Sequence, residues 1–258
     1  MRSRPASSRW SASSTAEARR SAVARCVRNS LHWYEAIFRT HGLTGAIVDG
    51  LWVSRDDPPP YYSRAMTLAA TPVEPQLAAL RDLRSELPAP WSIKDSFAAL
   101  DLAPLGFEPL FDADWISRDP VPMARPERDD VVWRRVTSTA ELDGWEAAWR
   151  DNGSPTDRRV FLPALLADPT VALFGAYRGD AIAAGCAANR SADAVGFSNF
   201  FVAEGDDEDL AAGALAAVSD FGDGAPVVGY EWGDALGRGQ RLGFEAVGPL
   251  RVWETAER

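Results

Sequence analysis

Val27, Leu31, Tyr34 and Phe38 recur at the spacing of an amphipathic helix over residues 25–40, and His41-Gly42 supplies its stop. Two short strand-like runs follow, 44–48 and 51–54, separated by Asp49-Gly50, a pair that favours a tight hairpin. Beyond the Pro58-Pro59-Pro60 spacer, 61–68 reads as a third strand and 74–86 as a helix opened by Pro72 and Pro75. A short strand at 91–93, a short helix near 95–102 and paired strands across 107–116 close this half. Residues 119–130 are rich in proline and charge, lack periodicity and read as a linker.

The second half opens with a strand at 131–136 and a helix at 139–150 whose Leu142, Trp145 and Trp149 share one face. A short helix at 160–166 precedes strands at 171–177, 182–188 and 195–203, the first pair joined through Arg178-Gly179-Asp180. A helix at 209–221 turns Leu210, Ala214, Ala217 and Phe221 inward. A strand at 227–231, an irregular helix at 234–241 and a final pair of runs, 244–247 and 250–253, complete the order. Both halves end on the same four residues, Leu105-Gly106-Phe107-Glu108 and Leu242-Gly243-Phe244-Glu245. Superposing Gly106 on Gly243, an offset of 137, matches the elements in type and order and lays Trp91-Ser92-Ile93 on Val228-Gly229-Tyr230. The fold class is α+β with a mixed sheet, and repeats this long point to a duplicated domain rather than a solenoid.

Composition narrows the partners. A chain of 258 residues with 46% apolar content buries a large core, and a formal charge of -10 argues against nucleic acid or an anionic membrane. No apolar run is long enough to span a bilayer. Cys26 and Cys186, one per half, suggest no disulfide framework, a reducing cytoplasm and small buried hydrophobes. Charge is uneven: Arg2, Arg4, Arg9, Arg19, Arg20, Arg25 and Arg28 face Glu17 alone, so residues 1–24 read as a disordered basic leader. Lys94 is the single lysine among 27 Lys and Arg, an arginine bias expected of a GC-rich bacterial genome. No Ser-His-Asp arrangement and no metal-ligand spacing is present, and His32 and His41 fall away from any expected reaction centre.

Gln240-Arg241-Leu242-Gly243-Phe244-Glu245, followed by Arg251-Val252-Trp253, resembles the junction of last helix and final hairpin in the GNAT superfamily of acetyltransferases. The element order from Val131 onward resembles that superfamily too. Asn29, Trp33-Tyr34, Gly50-Leu51-Trp52 and Pro60 make residues 25–118 similar to the truncated copy that opens tandem members. The resemblance implies two tandem GNAT-like folds, truncated at 25–118 and complete at 131–258. It implies acyl transfer from acetyl-CoA to an amine of a small molecule or peptide, with a homodimer among the options.

Carried over residue by residue, the resemblance puts the thioester and pantetheine arm along Asn199, Phe200, Phe201 and Val202, whose N–H groups face the carbonyl oxygen. It puts the pyrophosphate at the loop and helix start holding Glu208, Ala211 and Gly213. Glu231 and Glu204, at strand ends bordering the expected cleft, are the candidate general bases, and Tyr230 the candidate acid. Trp232 is a candidate ligand wall. Three positions depart from the pattern: Glu208 stands where the superfamily has a cation, Ala211 where it has glycine, and Gly239 where it has the acidic tyrosine. Glu204, Asp206, Asp207, Glu208 and Asp209 then either repel a pyrophosphate or cap the helix that follows. Two functions stay open, an active N-acetyltransferase and a GNAT-fold binding or scaffold protein that has lost CoA.

Overall fold

A computed structural model describes residues 8–120, 130–203 and 208–255, with the side chains of 8–14 left aside. Helix α1 (Ser8–Thr40) starts well before residue 25, so the described part of the expected disordered leader is helical. The reason lies in both propensity and packing. Alanine and arginine favour helix, and Val23, Cys26 and Val27 bury against Ala113, Trp115, Val228 and Leu250, which anchors the helix beyond its first periodic turn.

In the first half β1 (Ala46–Val48), β2 (Leu51–Val53) and β3 (Ala65–Thr67) form a meander, α2 (Val73–Glu86) crosses over, and β4 (Ser92–Asp95) pairs parallel to β3. The helix expected near 95–102 is instead a loop: the Asp95 carboxylate accepts the N–H groups of Phe97 and Leu100 at 3.3 and 2.8 Å, and only a 3₁₀ turn at Ala103–Leu105 follows. The second half contains β6 (Val132–Arg135), α3 (Thr139–Asp151), β7 (Val171–Arg178), β8 (Ala181–Arg190), β9 (Val195–Val202), α4 (Glu208–Gly222), β10 (Val227–Glu231) and α5 (Gly233–Arg241). Ser138 and Glu141 close a capping box at the start of α3. The helix expected at 160–166 is a 3₁₀ turn, Pro163–Ala167.

The two closing runs differ from expectation in an informative way. Each is one long strand, β5 (Phe107–Arg118) and β11 (Glu245–Thr255), rather than a pair of short ones. They pair with each other, and each lies beside the penultimate strand of the opposite half, giving the order β1-β2-β3-β4-β11-β5-β10-β9-β8-β7-β6. One sheet therefore runs through both halves. The register is symmetric under the offset of 137: Glu245 faces Ser117 while Glu108 faces Glu254, and Ala113 faces Leu250, its own equivalent. Even the irregularities match, because the bulge at Val247 on β11 has its counterpart at Leu110 on β5.

Helices α1 and α3 cover one face, and α2, α4 and α5 the other. On the first face Trp33, Tyr34, Ile37 and Phe38 of α1 share a cluster with Leu142, Trp145 and Trp149 of α3 and Phe161. This helix of the first half thus completes the core of the second. On the other face α2 packs Leu80 and Leu83 on Ile93 and Trp253, while α4 packs Ala214, Leu215 and Val218 on Ile116, Val195 and Val227. No described helix is long and apolar enough to cross a membrane.

Candidate functional site

The parallel strands β9 and β10 pair only through Val195 with Val227 and Gly196 with Val228. They then part. Asn199 adopts a left-handed backbone, φ 52°, which a small polar side chain tolerates, and the β8–β9 register shifts once there, between the Gly185–Phe201 and Ala187–Ser198 pairs. The gap opens through the sheet into a cavity of about 400 Å³ with walls from both faces. Its closed end is fastened by reciprocal amide bonds: Asn29 Nδ2 donates to the Asn189 carbonyl at 3.1 Å, and Asn189 Nδ2 to the Asn29 carbonyl at 3.0 Å. Gly196 is required beneath them, since a Cβ there would lie 2.2 Å from Asn189 Oδ1 and 2.3 Å from Asn29 Oδ1.

Of the expected catalytic residues, Tyr230 and Glu231 both line the cavity, and Glu204 falls outside the described residues. Glu231 ends β10 on the face of α5. Burial pushes its carboxyl up to about 7, against a smaller opposing pull from Arg238, and no described residue donates a hydrogen bond to it. Tyr230 points to the α1 face, where burial raises its phenol well above its ordinary value. Trp232 lines the mouth, half exposed, with its ring 4.7 Å from that of Phe111.

The expected donor-binding residues separate into two sets. Asn199 and Phe200 line the cavity, whereas Phe201 is buried on Trp145 and Val202 packs toward Leu210. Glu208 begins α4 and is held by Arg241 of α5, Nε to Oε1 at 2.5 Å. Ala211 and Gly213 are buried in α4. A Cβ at Gly213 would lie 2.4 Å from Trp133 Nε1, so close packing of β6 accounts for this glycine without a phosphate. Gly239 of α5 packs near Ile116 and Phe244.

Lys94 was absent from the sequence-derived site and is its most unusual member. It is the penultimate residue of β4, 2% exposed, with Nζ 4.1 Å from the ring centre of Tyr230, 5.0 Å from Tyr34 and 5.5 Å from Trp115. It donates to Ser30 Oγ at 3.2 Å, and desolvation lowers its ammonium to about 7. Trp115 is fixed for this role by its own bond from Nε1 to the Ser96 carbonyl, 2.7 Å. The signal in the sequence was that a chain so dominated by arginine keeps one lysine, three residues after Trp91. The cysteines lack such a role: both are buried, and Cys26 is pushed up to about 12.

No family model matches the sequence, and no curated protein sequence matches it. Solved structures do. A GCN5-related N-acetyltransferase from Kribbella flavida superposes with a TM-score of 0.68 at 17% identity, over 92% of this chain and 96% of that one. A conserved protein of unknown function from Staphylococcus epidermidis gives 0.62 at 12% identity, over 86% and 98%. A Novosphingobium aromaticivorans protein assigned to the GNAT family gives 0.53 at 14% identity, over 87% and 96%. At these identities the likeness is one of fold: the chain carries the mixed α+β fold of GNAT acetyltransferases. An acyl-pantetheine arm would find there a β9 edge unpaired with β10 beyond Gly196 and a cavity of about 400 Å³. At the start of α4, where the resemblance would put a diphosphate, the described residues include Glu208 and Asp209 on α4 and Arg238 and Arg241 on α5.

Proposed function

We propose that this GNAT-fold chain transfers an acyl group from acyl-CoA to an amine held in the cavity, with Glu231 taking the amine proton. The observation that carries the reading is the parting of β9 and β10 into a cavity with Glu231 on its wall at about 7. A general base is most effective when its pKa lies near the working pH. Beyond Gly196 the edge of β9 is unpaired with β10, which leaves its N–H groups for a thioester oxygen. Acyl-CoA supplies, when bound, the activated carbonyl and the thiolate leaving group. Phe200 borders the donor side, where Arg238 lies 5.6 Å from its ring centre. The acceptor enters from the α1 face, between Trp33, Tyr34 and Trp149. The symmetric register of β5 and β11 supports a tandem duplication in which the second half kept the open cleft.

The test is a titration with acetyl-CoA. At about 100 times its dissociation constant the ligand stabilises the protein by about 2.7 kcal/mol, a shift of several degrees in Tm. Amine-dependent thiol release should follow, and Glu231→Gln should lower its kcat by about 10²- to 10⁴-fold. The Glu208–Arg241 pair favours a second reading, a binding protein that has lost CoA. Absence of any thermal shift up to millimolar acetyl-CoA would overturn the transferase and leave that one.

A further inference from the structure

The acceptor side of the cavity holds a buried cation that acyl transfer does not use. Lys94 Nζ is capable of three hydrogen bonds, and one, to Ser30 Oγ, is made. Its sequence neighbour Asp95 cannot serve as counter-ion. That carboxylate lies on the other face of β4, where Phe97 N, Leu100 N and Thr67 Oγ1 occupy it. Burial without a paired anion disfavours the charged form and holds the ammonium at about 7, while three aromatic rings offset part of that cost.

Tyr230 and Glu231 are consecutive on β10, so Lys94, against the Tyr230 ring, and the Glu231 carboxylate flank the end of one strand across one cavity. Trp33, Tyr34, Tyr62, Trp115 and Phe197 give that cavity aromatic walls. We propose that the acceptor is a free α-amino acid with an apolar or aromatic side chain, its carboxylate bound by Lys94 and its amino group delivered to Glu231. This rests on the cavity being the amine site, but binding in the absence of acyl donor tests it separately from transfer.

The experiment is calorimetric titration of the full chain, without CoA, with L-phenylalanine, L-phenylalaninamide and phenethylamine. L-Phenylalanine should bind at least 10-fold more tightly than either carboxylate-free analogue. Lys94→Met, which keeps an unbranched apolar stem and removes the ammonium, should reduce that ratio to below about 2-fold. Because the chain has one lysine, ¹³C label at its ε-carbon reports on this residue alone. Its resonance should move with L-phenylalanine and stay with phenethylamine. Equal binding of acid and amine by the wild-type protein, or no binding of L-phenylalanine up to 10-fold above the millimolar range, overturns the proposal. Neither outcome touches the acetyl-CoA titration, which decides the transferase reading by itself.

Discussion

The ends of β4 and β10 occupy equivalent places in the sheet and have met opposite fates. Asp95 pairs with Arg251 of β11, Glu231 with Asp114 of β5, and those two partners are themselves one offset of 137 apart. Lys94-Asp95 is thus the counterpart of Tyr230-Glu231. At the first end the chain turns back at once. Ser96 N donates to Thr67 Oγ1 at 2.7 Å, and Phe97 and Leu100 donate to Asp95, so β3 and β4 are stitched shut. At the second end the chain runs on into Trp232 and α5, β9 bends away at Asn199, and among the described residues no loop amide turns back to Glu231. Burial raises both carboxyls, but only at Asp95 do amide donors pull the other way. A strand end becomes structural or chemical according to where the next five N–H groups point.

The sharpest way to break that comparison is to remove each carboxylate in turn. Asp95→Ala orphans two amides in the loop behind it, and at about 1–3 kcal/mol for each buried unsatisfied donor the loss should reach roughly 3 kcal/mol. Glu231→Gln orphans no described amide and removes a carboxyl that burial has raised from 4.5 to about 7, so it should stabilise the protein by roughly 1–3 kcal/mol at neutral pH. Urea unfolding at neutral pH measures both. Similar losses from the two variants would mean that the second end is as closed as the first.

The repeat that frames this comparison was legible, and its register was not. Leu105-Gly106-Phe107-Glu108 and Leu242-Gly243-Phe244-Glu245 give the offset that relates β5 to β11, but β4 and β10 align one residue differently, Ser92-Ile93-Lys94 with Val228-Gly229-Tyr230. The loops that precede the two long strands differ in length, and strand patterning cannot register a loop. The exchange of last strands was invisible for a related reason: alternation shows that 107–118 and 245–255 are strands and says nothing of which neighbour each chooses. Glu231 and Tyr230 were found because they end a strand. Lys94 was missed because its half was read as the truncated copy, although α1 and β4 of that half line the cavity.

Titration separates the two ends further through Lys94. Its folded-state value is about 7 against an ordinary 10.5, so between those values the unfolded chain binds a proton that the folded chain lacks, and this residue makes stability rise with pH. Below pH 7 the whole cost of the buried ammonium is present. Lys94→Met should therefore stabilise the protein by roughly 2 kcal/mol at pH 6, with the gain shrinking toward pH 10. Thermal unfolding of both proteins across that range checks it. Parallel curves would show that the aromatic rings and Ser30 leave the ammonium no worse off than water does.

The smallest effect belongs to the proposed donor end of the open half, where Glu208 begins α4. Glu208 and Arg241 are more than half exposed at 61% and 58%, so breaking their 2.5 Å contact with Glu208→Ala should alter stability by less than about 0.5 kcal/mol. Ligand binding should respond more than folding. The substitution removes one negative charge at the start of α4 and releases Arg241 toward the same spot, and charge pairs near a surface are worth on the order of 1 kcal/mol after screening. Acetyl-CoA should then bind about 5-fold more tightly at physiological salt, with the gain fading in high salt. A weaker affinity in the variant would instead make Glu208 a positioning residue that holds Arg241 for the ligand, and the open half would need no repair to bind its donor.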